Sequence, residues 1–425
     1  TLEPGAVNDI TVGVVWARAS NASDPFESVE KVRVVDDKAQ ALFDNCFVLI
    51  DGPDAPEVAI VELDRELVLS IFNPPSSNNR DEDYAQVDPF IPPAFDNNIF
   101  RFEGYQIFQL KDATVSSSEL TNPDVARLVA QVDIENNDSL TNAPISQLVN
   151  FTFSDELNAS IPVEMVDGAN EGLRHSFQIT QDQFATNDRQ LVNHKKYYFM
   201  AVAYSYNNYK TYDQNDPLQL DGQKAPYLAG RKNAFGGAIV PVIGIPHKPA
   251  PEQEGTMLSA VYGDGPRLTR VEGQGNGGRD LTLLREDRLA IARSSEGRQV
   301  EITYDYGRGP VDIKVIDPKN LPNADFVFKM LDSTDVDDLT DAYWSLECIG
   351  GDCPDVVGAG PDNIVYADKA IGLSNGNEQL IPEWGLSVFL EQAINPGDET
   401  VEGNGFLDGR ISFGGTNFWL TGIGD

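Results

Sequence analysis

His194–Asn207, HKKYYFMAVAYSYN, is the stretch whose reading decides the fold. Tyr197, Phe199, Ala201, Ala203 and Ser205 alternate with Tyr198, Met200, Val202, Tyr204 and Tyr206, so an extended backbone carries an apolar or aromatic row on each side. A run that is apolar on both faces, and well short of the roughly 18 residues of a membrane span, reads as a central strand of a β-sandwich.

Outward from this strand, Val58–Phe72 (VAIVELDRELVLSIF) predicts two strands turning at Asp64-Arg65-Glu66, and Phe100–Lys111 (FRFEGYQIFQLK) predicts a third. Val125–Ile134 and Val149–Phe153 are expected to continue the sheet, and His175–Ile179 to add another strand. Asp182–Phe184 reads as a short helical turn, and Gly237–Pro246 as the last strand, with Pro241 arguing for an edge. Two polar insertions, 73–98 and 207–236, interrupt the pattern. The Tyr-rich strand resembles the F strand of a fibronectin type III domain, where the pattern is close to Tyr-x-Phe/Tyr-x-Val-x-Ala. The resemblance implies strands A and B in 58–72, C in 100–111, E in 175–179 and G in 237–246. It also implies an early tyrosine folding its hydroxyl back onto the backbone.

Toward the N-terminus, Ile10–Ala17 (ITVGVVWA) reads as a strongly apolar strand that must pair within the chain or with a neighbouring molecule. Ser23 or Asp24 can cap a helix over 26–43, with Phe26, Val29, Val32, Ala39, Leu42 and Phe43 mostly on one face. Asp51-Gly-Pro-Asp-Ala-Pro then breaks regular structure. The chain starts at Thr1, already in mid-pattern, and we expect a mature or trimmed part of a longer polypeptide. Beyond the linker-like stretch from His247 lie Leu268–Glu272, a Gly-rich turn and a short helix over 281–292. Strand-like runs follow at 300–304, 311–316, 325–331, 342–347, 363–367, 386–390 and 409–413 with 418–420. The expected fold is therefore mostly β, a tandem of β-sandwiches behind a short strand-helix segment. Its divisions are 1–50, 51–247, the linker 248–260, and 261–425.

With 425 residues and 41% hydrophobic content the chain can bury several cores. Its 67 acidic and 31 basic residues give a formal charge of −36, which repels nucleic acid and anionic lipid and excludes both as partners. The same charge favours solubility, salt or divalent cations, or is simply a solvated acidic surface.

Chemistry is sparsely signalled. Cys348 and Cys353, in CIGGDC, can close a small disulfide loop, implying an oxidising compartment, while Cys46 is expected to be buried. Three histidines, His175, His194 and His247, in polar or linker-like surroundings, are too few for a zinc site, and no Gly-x-Ser-x-Gly elbow is present. Gly273-x-Gly275-x-x-Gly278 matches the dinucleotide fingerprint formally, but its β-rich surroundings favour a flexible turn. Carboxylate pairs suited to a glycosidase abound, yet abundance says nothing about geometry. Asp332, Asp335, Asp337 and Asp338, and separately Asp398, Glu399, Glu402 and Asn404, offer oxygen ligands for a structural calcium ion, without EF-hand spacing; a solvated loop is the alternative. Trp344, Trp384 and Trp419 are expected in sandwich cores rather than on a carbohydrate platform.

The combination DKAQALFDNCF, GPDAP, FEGYQIFQL with HKKYYFMAVAY, and IPEWGLSV resembles large multidomain secreted proteins of the Bacteroidetes, cargo of the type IX secretion system. The resemblance implies an extracellular or cell-surface, non-enzymatic protein of an assembly, adhesin or filament, whose partners are other surface proteins or its own copies. The alternative is an accessory, polysaccharide-binding region of a secreted hydrolase. It also implies Asp-Ser/Thr-x acceptors for O-glycans, matched by Ser139 in Asp138-Ser139-Leu140 and Ser333 in Asp332-Ser333-Thr334.

Overall fold

Along the first half of the chain, helix α1 (Pro25–Asp44) precedes strands β1 (Glu57–Leu63), β2 (Glu66–Phe72), β3 (Ala85–Val87), β4 (Ile99–Leu110), β5 (Ala126–Asp133) and β6 (Gln147–Ser154). β7 (Ala159–Asp167), β8 (Ser176–Ile179), β9 (Tyr197–Tyr206), β10 (Tyr227–Ala229) and β11 (Val242–Gly244) follow. The structure, a computed structural model, describes residues 12–18, 25–44, 46–47, 49–91, 95–154, 156–157, 159–216, 218–250, 258–267, 285–286, 289, 293, 303, 311–331, 342–370, 377–390, 410–413 and 416–419.

β1, β2 and β8 form one antiparallel sheet, and β10-β9-β4-β3 form another, with β11 also pairing β9 and β5 also pairing β4. The doubly apolar stretch is β9, at the centre. One row, Tyr197, Phe199, Ala201 and Ala203, packs with Tyr105 and Ile107 of β4, Leu67, Leu69 and Ile71 of β2 and Ile179 of β8, closing the sandwich. The Tyr197 hydroxyl accepts the Val192 N–H at 2.9 Å, pinning the turn before β9. In that turn His194 takes a positive φ of 64° and donates its N–H to the Pro246 carbonyl.

The other row of β9 is buried as well, and the sheet is covered on its outer side. Met200 packs with Leu110, Val115 and Ala126, while Tyr204 packs with Ile145, Leu148, Val166 and Tyr227. Leu148 and Val166 come from β6 and β7, which pair only with each other. Val149–Phe153 thus does not continue the main sheet; it belongs to a hairpin laid across it. Withdrawing a large apolar side chain from water contributes roughly 1.5–3 kcal/mol, so a two-sided apolar strand demands such a cover.

Other departures have local causes. The last strand is split: β10 takes one end of β9 and β11 the other, with a Lys232–Ala238 bridge between them. The polar segment 73–98 is no mere surface insertion. Asn79, fully buried, accepts the Tyr84 N–H and donates to the Tyr105 hydroxyl, so its amide replaces ladder partners, and β3 joins β4. Asp182–Phe184 forms a turn in which Asp182 accepts the Phe184 N–H, without helix. Residues 12–17 form no strand, and Val12, Val14 and Trp16 are exposed. On α1, Val29 and Phe43 are more than half exposed, at 53% and 52%. The helix ends in a left-handed turn through Cys46 and Phe47, which carries Cys46 outward: it is free and exposed, against the expected burial.

Later strands are β12 (Asp312–Val315), β13 (Phe326–Leu331), β14 (Tyr343–Cys348), β15 (Ile364–Tyr366), β16 (Asn377–Ile381), β17 (Leu386–Leu390), β18 (Arg410–Phe413) and β19 (Thr416–Trp419). Sheets β12-β17-β16 and β13-β14-β15 pack around Ile313, Val315, Trp344, Leu346, Val365, Ile381, Trp384, Leu386 and Val388, a second sandwich. Trp384 is fully buried and donates its indole N–H to the Pro354 carbonyl at 2.9 Å. β18 and β19 form a separate hairpin. Of the helix expected over 281–292, residues 285, 286 and 289 are described and are helical; 268–272 and most of 300–304 lie outside the described residues. Among the described residues no helix is long and apolar enough to cross a membrane.

Candidate functional site

The two sandwiches meet at the edge strand β8. An edge strand leaves backbone donors unsatisfied, and here a side chain from the second sandwich takes them. Glu378 of β16 accepts the His175 and Ser176 N–H groups at 2.7 and 3.1 Å. Its other oxygen accepts the hydroxyls of Ser176 at 2.8 Å and Ser387 at 2.6 Å, and pairs with the Lys314 ammonium at 2.9 Å. The Glu378 side chain is 0% exposed, yet every lone-pair direction has a donor. Burial pushes its carboxyl up, but Lys314, Ser387 and the His175 N–H outweigh this and hold it at about 2. Burial likewise lowers the Lys314 ammonium, and Glu378 more than restores it, so its pKa lies above the usual lysine value.

A second carboxylate works beside it. Glu82, from the segment before β3, contacts the His175 imidazole Nε2 at 2.5 Å and the Lys369 ammonium at 2.8 Å, and accepts the Tyr105 hydroxyl at 3.0 Å. Burial again raises its carboxyl, and His175 and Lys369 overcome this to set it at about 2. Burial lowers the His175 imidazole, but Glu82 and Glu378 raise it above its ordinary value. At the rim, Arg174 pairs with Asp312 at 3.3 Å and stacks 3.3 Å over the Phe389 ring, and the Tyr262 hydroxyl donates to the Ser176 carbonyl at 3.0 Å. The groove alongside is shallow and is lined by β5, β8, Tyr262 and β12. The charged groups are spent on one another across the junction, which is the geometry of a latch between domains.

His175 is therefore buried and central, and the polar surroundings its sequence context suggested are charged side chains brought from elsewhere in the chain. Nothing in the sequence marks Glu82, Lys314, Lys369 or Glu378, because their partners lie far along the chain and, for Glu378 with His175 and Glu82 with Lys369, on the other sandwich. His247, read as linker, is tied back to the first sandwich: its N–H donates to the Leu63 carbonyl, and its ring lies 3.4 Å from Glu62.

Cys348 and Cys353 are bridged, with Cα atoms 6.3 Å apart. Asp332, Asp335, Asp337, Asp338 and Ser333, together with Asp398, Glu399, Glu402, Asn404 and the glycines 273–278, lie outside the described residues. Ser139 is exposed and accepts a hydrogen bond from Asn97. Its neighbour Asp138 is buried and caps the Leu140 and Thr141 N–H groups. Trp344 and Trp384 are core residues, and Trp419 lies on β19. Among the described residues no three acidic, histidine or cysteine side chains converge on one point as metal ligands.

Comparison with known proteins finds no matching family model, no matching curated protein and no matching solved structure.

Proposed function

We propose that this chain is a non-enzymatic structural module of an extracellular or cell-surface assembly, in which two β-sandwiches act as one stiff unit. The observation that carries the reading is the latch, in which Glu378 of one sandwich satisfies the edge strand of the other while two buried carboxylates, Glu378 and Glu82, are paired with the Lys314 and Lys369 ammonium groups. A loose tether between independently acting modules needs no such contact, because burying charge is worthwhile only where geometry is held. The reading is supported by the first sandwich, where β1-β2-β8 faces a sheet centred on β4 and β9 as A-B-E would face C, F and G in a fibronectin-like domain, and by the Tyr197 hydroxyl turned back onto the backbone. The Cys348–Cys353 bridge suits an oxidising compartment.

Assembly runs through the N-terminal segment, where Val12, Val14 and Trp16 are 79%, 92% and 78% exposed in an unpaired stretch able to add as a strand to a second copy. A head-to-tail contact of this kind propagates when it does not close into a ring. The test is light scattering and electron microscopy of the chain over a concentration series, with and without residues 1–17. Oligomers or filaments that revert to folded monomers on deletion are expected; a monodisperse monomer at every concentration would overturn the assembly reading.

A further inference from the structure

A second buried polar cluster, remote from the latch, lies where β4 bulges. The register of β4 on β9 slips between Phe102 and Gly104, leaving Glu103 as the extra residue. Gly104 stands opposite Asp133 of β5 on one side and Tyr204 of β9 on the other. Residues facing one another across antiparallel strands share a face, so Asp133 and Tyr204 flank the place where Gly104 has no side chain. A Cβ at Gly104 would lie 2.7 Å from the Tyr204 hydroxyl, and one at Gly168 would lie 2.1 Å from Asp133 Oδ2. Glycine at both positions keeps these two oxygens clear.

Glu103 and Asp133 are each 2% exposed and Tyr204 is 0% exposed. Glu103 Oε1, Asp133 Oδ2 and the Tyr204 hydroxyl, together with Asn136 Oδ1, nevertheless have no hydrogen-bond partner among the described residues. The opposite oxygens are all engaged: Asn136 Nδ2 donates to Glu103 Oε2 at 3.0 Å, and the Asn170 N–H donates to Asp133 Oδ1 at 3.0 Å. Each carboxylate is thus fixed by one oxygen and offers the other. Among the described residues no basic side chain pairs with Glu103 or Asp133, and the charges that act on them, Asp133 on Glu103 and Glu171 on Asp133, are negative.

We propose that Glu103, Asp133 and Tyr204, with the Asn136 amide oxygen, bind a hard divalent cation of the calcium class at the bulge of β4. Buried acceptors without donors are costly, and two carboxylates with neutral oxygens are a ligand set for a hard cation. Calcium suits it better than magnesium, which demands near-octahedral geometry and retains its waters. The ion would tie β4, β5 and the loop after β5 to the central strand, on the face that the β6–β7 hairpin covers. This site is distinct from the acidic loop at 332–338.

The test uses the full chain. Calcium bound per chain is counted by equilibrium dialysis, terbium luminescence is excited through tyrosine, and melting is followed in calcium and in EGTA. Wild type should bind calcium, rise in melting temperature with it, and give terbium emission that calcium displaces. Glu103→Gln and Asp133→Asn should each lose one equivalent of calcium, yet melt in EGTA at or above the wild-type temperature, since they remove buried charge without changing shape. Tyr204→Phe keeps the ring and removes one ligand, so it should weaken calcium binding even if the other variants do not fold. A wild-type chain that binds no calcium, carboxamide variants that retain every equivalent, or calcium affinity unchanged in Tyr204→Phe would overturn the proposal.

Discussion

Tyr197 does two things from one position: its ring belongs to the core of the first sandwich, and its hydroxyl accepts the Val192 N–H from outside the strand. Tyr197→Phe keeps the ring and strands that donor. The expected cost is about 1–2 kcal/mol, seen as a lower urea midpoint with an unchanged slope. A variant as stable as wild type would mean that the clamp adds nothing beyond ring packing. Gly104 makes the complementary point about space, since a Cβ there would meet the Val132 carbonyl oxygen at 2.1 Å. These roles differ in how openly they are written. The tyrosine is announced by its place at the start of a Tyr-rich strand, whereas the need for glycine arises only when a third strand lies alongside.

Among the elements, β16 is the least conspicuous in sequence and carries the most at the junction. Asn377–Ile381 reads NEQLI, too polar for a strand to be expected there, because Glu378 is turned inward toward the other sandwich. Removing that carboxylate leaves the Lys314 ammonium and two backbone donors without their acceptor. Glu378→Ala should therefore weaken the coupling of the sandwiches by about 3–5 kcal/mol. In calorimetry the wild type is expected to unfold in one transition that includes both sandwiches, and the variant in two. A single unshifted transition in Glu378→Ala would show that the junction is held by other contacts. The β6–β7 hairpin teaches a similar lesson: its apolar content was visible, but its place over the outer face of β9 was not.

For the whole molecule, the latch makes the coupling depend on pH from both sides. Glu82 and Glu378 have carboxyls held at about 2 against an ordinary 4.5, so their contribution is full above about 4.5 and is lost as pH falls toward 2. His175 is raised above its ordinary 6.5, so its contribution is full below 6.5 and fades as pH rises through the elevated value. The two limits leave a window of strongest coupling between about pH 4.5 and 6.5, with each carboxyl contributing on the order of 3 kcal/mol at most. Calorimetric cooperativity followed from acid to alkaline pH should pass through a maximum in that window, and a His175→Gln chain should lose the alkaline fall while keeping the acid one. A flat profile would contradict the assignment. The formal charge of −36 acts in the background, opposing contact between copies at low salt, so any assembly should strengthen as salt screens it.

The sequence by itself determined the mostly-β class, the central place of 194–207, the hairpin at Asp64-Arg65 and most strands of the second sandwich. These follow from side-chain alternation over a few residues, which is a local property of the backbone. It also singled out Trp344 and Trp384 as core. Only the tertiary structure decided which layer the β6–β7 hairpin joins, that Cys46 faces outward, and that His175 lies in a latch with Glu82, Lys369 and Glu378. Glu378 and His175 are 203 positions apart. A buried charge is tolerable only beside its counter-charge, and no local pattern records a partner that folding brings from so far along the chain.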